Sequence, residues 1–203
     1  MNSELGFDLK DWEAAEAIEM GEFESVKLGG HEVVILGAKK HEGEEGKKSL
    51  KVIVDIAGKD EQAGYFKKQF DENTKKDKKW SNGATRYLSL KKENLGYTKG
   101  FITALEKSNP KFKFDTSKNW EQLKGLKCAG VFGLEEYEDL EGDIRVATKL
   151  VQFRSLDKLD EIKIPRVKLI DGSYVDYEEY KSGKKGSLKA DDAIEISEEM
   201  LPF

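Results

Sequence analysis

The sequence predicts a mainly β fold, a small barrel carrying one or two helices, and three observations point to it. Two early stretches are rich in β-branched residues or alternate apolar with polar residues. Two further strand candidates sit either side of a short turn, and one main helical stretch interrupts the series.

"SVKLGGHEVVILGAKKHEG" opens the series as a β-branched run broken by glycines. "SLKVIVDIAG" sets Leu50, Val52, Val54 and Ile56 against Lys51 and Asp55, the period-two signature of a half-buried strand. "HEGEEGKK" between them reads as a hairpin-type loop. "GYFKKQFDENTKKDKKWSNGAT" reads as a long polar loop, and "TRYLSLKK" as a strand or short helix. "NLGYTKGFITALEKSNP" predicts a helix from about Gly96, stopped by Asn109-Pro110. "KNWEQLKGL" suggests a short helix with Gly125 near its end. "LKCAGVFGLEEYED" and "GDIRVATKLVQFRSL" are strand candidates joined by the "DLEGD" turn. Four or five strands with one main helix suggest a small closed or partly open β-barrel, a kind to which the OB fold, a five-stranded Greek-key barrel, belongs. An α+β domain with an open sheet fits the same pattern.

Flanking segments differ in character. Residues 1–23 form an acidic extension in which Leu9, Trp12, Ala15 and Ile18 share a face at helical spacing. The folded domain is expected over 24–168. Residues 169–203 are polar and spotted with Gly and Ser, too poor in apolar side chains for a core of their own, and read as a flexible acidic tail. A single cysteine, Cys128, rules out an internal disulfide and fits a reducing compartment. No apolar run approaches the ~20 residues of a membrane span, and "MNSELGFDLK" lacks a signal pattern, so a cytoplasmic location is expected.

The net charge of −5 conceals a division. Residues 1–25 hold eight acids and one Lys, and 171–203 hold nine acids and four Lys. Between them, residues 65–113 hold thirteen Lys or Arg and five acids. Aromatic residues are interleaved with these cations. Single-stranded nucleic acid is held by this pairing, cations meeting phosphates and rings stacking on unpaired bases. The candidate contacts are Phe66, Lys67, Lys68, Lys78, Lys79, Trp80, Arg86 and Tyr87, while Phe101 and Phe112 are assigned to the core. Trp80 stands out because a tryptophan in a lysine-rich polar loop has no periodic reason to be buried. Arg145, Lys149 and Arg154, on the last strand, are added as residues that could line the same groove.

Other chemistry finds little support. His31, His41 and Cys128 show no paired metal-ligand spacing, no phosphate-loop pattern occurs, and no nucleophile has a histidine beside it. No cofactor, metal or catalytic constellation is expected. The chain ends in "DDAIEISEEMLPF", five carboxylates followed by an apolar end. Phe203 can fill an apolar pocket on a partner while its α-carboxylate meets a cation there. Glu198, Glu199, Leu201 and Pro202 complete this expected docking element.

That ending resembles the acidic tip of bacterial single-stranded DNA-binding proteins, which finish in Asp-Asp-Ile-Pro-Phe or close variants. Pro202 and Phe203 match, Leu201 replaces the isoleucine, and Glu198 and Glu199 stand one residue further back than the family's aspartates. The blocks "AGYFKKQFDENTKKDKKW", "KGFITALEKSNPKFKFD", "LKGLKCAGVFGLEEYE" and "IRVATKLVQFRSLDKL" are similar to the single-stranded DNA-binding proteins of phages and prophages of Gram-positive bacteria, over roughly residues 24 to 168. The resemblance implies an OB fold, sequence-tolerant binding of single-stranded DNA without catalysis, and a C-terminal hook for replication and recombination proteins in the bacterial host cytoplasm. It leaves open a homo-oligomer such as a dimer. Two other readings stay open, a nuclease acting on single-stranded DNA and an adaptor whose purpose is the tail.

Overall fold

The computed structural model describes residues 25–43 and 46–183, with Lys10 and Glu13 of the N-terminal extension, both helical and exposed. The first two strands follow their side-chain patterns. β1 (Gly29–Glu42) buries His31, Val33, Ile35 and Ala38, and β2 (Lys48–Ile56) buries Leu50, Val52, Val54 and Ile56. They pair antiparallel, with an irregularity between Ile35 and Gly37. An extra residue at such a point bends a strand. β1 can therefore pair with β2 along its second half and with β4 (Lys127–Glu138) along its first, Gly29 to Val34 facing Phe132 to Lys127.

β3 (Thr85–Ser89) adds to β2, and β5 (Ile144–Arg154) pairs with β4 across the predicted turn. The path β3–β2–β1–β4–β5 is hydrogen-bonded throughout, but no ladder joins β3 to β5 among the described residues, so the sheet is open. The five-stranded count is also exceeded. β6 (Val167–Lys168) runs parallel to β4 on the stretch of its edge beyond β1, β7 (Tyr174–Val175) pairs antiparallel with β6, and the whole is a seven-stranded mixed sheet. The boundary expected at Lys168 thus falls inside the sheet. Val167 and Val175 are fully buried, and α3 (Tyr177–Lys181) begins on the Asp176 carboxylate, which accepts the Glu178 amide.

α2 (Leu95–Ser108) matches the helix expected from the sequence. It buries Phe101, Ile102 and Leu105, with the Phe101 ring 4.4 Å from that of Phe153. Its end is tied to the sheet by Asn109, whose side-chain amide donates to the carbonyls of Leu105 and Lys127 at 2.7 and 2.8 Å. The helix expected in "KNWEQLKGL" is a single 3-10 turn, Trp120–Leu123, closed by Gly125 at φ 84°. Phe112 is half-buried against the core, near its expected place.

The sequence presents no helix after β2, yet α1 (Tyr65–Glu72) forms there. Its start is organised by Asp55, a buried carboxylate whose Oδ1 accepts the amides of Ile56 and Phe66 at 2.9 and 3.1 Å. Burial pushes the Asp55 pKa up, and the amide donors pull it back only in part. A carboxyl with a higher pKa in the fold than in the open chain keeps its proton longer when folded. Its contribution to stability is therefore greatest below the open-chain value, near 3.8, and declines as pH rises through the folded value. Asp55→Ala leaves two buried amides without an acceptor and should lose roughly 1–3 kcal/mol in urea titration at neutral pH. Asp55→Asn retains Oδ1 and should cost clearly less, with a flatter stability profile across mildly acidic pH.

Candidate nucleic-acid interface

β3 and β5 face each other across the open seam of the sheet. A methyl group built on Gly83, in the turn leading to β3, would stand 2.9 Å from the Thr148 carbonyl oxygen of β5. The two banks thus touch at that point. Two adjoining clefts lie along the seam, sharing Asn82 and Lys149. The first, about 450 Å³, is lined by Thr85, Arg86 and Tyr87 on one bank and by Lys149, Leu150 and Glu135 on the other. The second, about 650 Å³, adds Tyr65, Gln69 and Tyr137, the Gln69 amide donating to the Tyr65 hydroxyl at 2.8 Å. Among the described lining residues Glu135 is the single carboxylate, and Lys168 Nζ meets it at 2.8 Å.

Register extends this surface onto the outer face. Lys39, Lys51 and Tyr87 stand side by side across β1, β2 and β3. Lys51 Nζ lies 5.7 Å from the centre of the Tyr87 ring, and the His41 ring packs on the same tyrosine at 5.1 Å. Tyr87 is nevertheless 46% exposed, a partly open ring with Lys51 beside it. Lys39, Lys51, His41, Tyr65 and Tyr137 were not nominated as nucleic-acid contacts from the sequence. Period-two alternation shows which residues of a strand share a face, and so flags Lys51. Which strands lie adjacent depends on long-range pairing.

The contacts expected from the sequence divide sharply. Arg86, Tyr87 and Lys149 come together at the first cleft. Phe66 lies in the wall of the second cleft but offers little surface there. It is 3% exposed and stacked on Phe132 with ring centres 5.7 Å apart, so its face is spent in the core. Lys67 is ion-paired with Asp71 on the next turn of α1, while Lys68 is exposed on the same helix. Lys78 sits 4.7 Å over the Phe70 ring, and Lys79 is exposed. Arg145 is held at the hairpin tip by Asp139 and Asp143, at 2.9 and 3.2 Å, and its guanidinium keeps the Asp139 pKa below the usual carboxylate range. Arg154 is exposed at the other end of β5, opposite Ala129. Glu198, Glu199, Leu201, Pro202 and Phe203 lie outside the described residues.

Trp80 has a packing role that its polar surroundings hide. Its indole Nε1 donates to the Val54 carbonyl at 3.0 Å, and its ring packs on Phe70 with centres 5.5 Å apart. Trp80→Phe should lose about 1 kcal/mol in chemical denaturation through that hydrogen bond. Trp80→Ala should lose roughly 3 kcal/mol, the low end for a tryptophan truncation because the ring is only partly buried.

Among the described residues, His31, Cys128, Asp139 and Asp143 are engaged in structure. His31 is buried, with Nδ1 3.1 Å from the Asp60 carboxylate and Nε2 2.9 Å from the Lys27 carbonyl. Cys128 is buried in the core, where desolvation pushes its thiol pKa up. Asp139, Glu141 and Asp143 have carboxylate oxygens within 4.8 Å of one another, and Arg145 bridges two of them. No described helix is long and apolar enough to cross a membrane. No protein-family model and no curated protein matches this chain.

Proposed function

We propose that this chain binds single-stranded DNA without marked sequence preference, in phage DNA replication and recombination, as an OB-type domain whose C-terminal tail recruits partner proteins. One observation carries the reading. Arg86, Lys149, Tyr65 and Tyr137 line adjoining clefts whose lining carboxylate is already paired, and Tyr87 borders the first of them while its ring lies on the outer face beside Lys51 and His41. Cations meet the backbone phosphates there, and tyrosine rings offer stacking surfaces to bases that a duplex would hide. Amides such as Asn82 and Gln69 can accept or donate to any base edge, which suits tolerance of sequence.

The fold supports the same reading. The path β3–β2–β1–β4–β5, with α2 between β3 and β4, is compatible with an OB-type barrel open between the first and last strands of that path. In that architecture the face of the second and third strands and the loops after the first and fourth strands bind oligonucleotides. Here that face carries Lys51 and Tyr87, and the loop after β4 carries Tyr137 at its base.

The deciding experiment is fluorescence anisotropy with labelled oligo(dT), a duplex of equal length and an RNA homopolymer at two salt concentrations. The single strand should bind tightest and lose affinity steeply with salt, because neutralised phosphates release counterions. Absence of binding to oligo(dT) in dilute buffer overturns the reading, and degradation of the label would turn it towards a nuclease. Removing residues 191–203 should preserve or tighten DNA binding, since it removes a competing polyanion, while abolishing capture of replication or recombination partners.

A further inference from the structure

We infer that Lys168 is a positioning residue for the cleft: it holds the Glu135 carboxylate in an ion pair, so the segment after Pro165 makes this wall tolerant of a polyanion. The inference rests on the reading above, that the cleft takes a single strand.

β4 carries Glu135 and Glu136 in succession, an awkward pair beside a phosphate track. Glu135 lines the cleft beside Lys149 and Arg86. Left bare, it would repel phosphate and compete for those same cations. β6 meets β4 where the pairing with β1 has ended, and the single register pair sets Lys168 beside Glu135. Lys168 Nζ then reaches the carboxylate at 2.8 Å. Its neighbour Val167 is fully buried and fixes the strand in place. Glu136 is drawn onto the same segment, accepting from the Tyr180 hydroxyl at 3.0 Å and the Ile170 amide at 3.2 Å. The Lys168 side chain is nearly half exposed and that of Glu135 about one-fifth, and ion pairs open to solvent add little to folding stability. Its effect should therefore appear in binding.

The test uses the full chain and oligo(dT) anisotropy at low salt, with thermal melting alongside. Lys168→Ala should weaken binding about three- to tenfold with little change in melting temperature. Lys168→Arg should keep the parent affinity. Glu135→Gln should tighten binding, because Lys168 is released towards the strand. The double variant K168A/E135Q should return to the parent affinity. Lys158→Ala is the control. It makes the same charge change at the Lys158–Glu161 pair, whose residues do not line the clefts, and should have a clearly smaller effect.

Equal losses for K168A and K158A would assign the effect to net charge and overturn the inference. A loss that persists in the double variant would make Lys168 a direct contact, with the same consequence. Should K168A fail to fold, E135Q decides alone, and failure to tighten overturns the inference. A parent that binds while K168A is unaffected removes this inference only. A parent that does not bind oligo(dT) removes the functional reading and this with it.

Discussion

Replacing Arg86 and Lys149 together by alanine should reduce affinity for single-stranded DNA by roughly a hundredfold or more at low salt, with no loss of folding cooperativity. The two side chains reach the first cleft from opposite banks, Arg86 from β3 and Lys149 from β5. On the proposed reading each neutralises one phosphate, and a hydrogen bond to a charged group contributes about 1.5–3 kcal/mol. The salt dependence gives an independent reading. Each phosphate contact on a single strand contributes about 0.7 to the slope of log K against log salt, so the double variant should bind with a slope shallower by about 1.4. A variant that loses affinity while keeping the parent slope would show that the two cations act through the fold. Tyr87→Ala should behave differently, losing affinity by about 1–3 kcal/mol of stacking with the salt slope retained.

Truncating Phe132 to alanine should be the most destabilising of the substitutions considered, by about 3–5 kcal/mol in urea or guanidinium titration. The ring is fully buried in β4, with Phe66 stacked on it and His31 edge-on at 5.5 Å. The side chains of β1, β4 and α1 therefore meet at one residue. Against a typical stability of about 5–15 kcal/mol for a domain, the loss is a large fraction of the total. Phe132→Leu should recover much of it. The gap between the two variants measures how far aromatic contact, over and above buried volume, holds α1 on the sheet.

Where a strand is long and one of its faces is buried, the sequence announces it. Leu50, Val52, Val54 and Ile56 alternate because one side of β2 faces the core, and Asn109-Pro110 ends α2 where the chain must turn. The β4–β5 hairpin is visible through the polar turn between its arms. β6 and β7 are not visible, because two-residue strands have no period, and each is held by a single buried valine. α1 is hidden for another reason: its eight residues carry one buried side chain, Phe66, and its first turn depends on Asp55 from the preceding strand.

The candidate interface divides along the same line. Composition alone placed the cations and rings in the middle of the chain and nominated Arg86 and Tyr87 among them. It could not separate Tyr87, open on the outer face, from Phe66 and Trp80, whose faces and hydrogen bonds are taken up internally. The last strand's alternation offered Lys149 for the same groove but did not set it apart from Arg145 and Arg154, and nothing in the sequence marked Lys168 as the partner of Glu135, residues 33 positions apart in the chain. Chemical character and local periodicity are properties of neighbouring residues and are written directly in their order. Which side chains end up sharing one cleft depends on how distant strands pair, and that was decided only when the sheet assembled around its core.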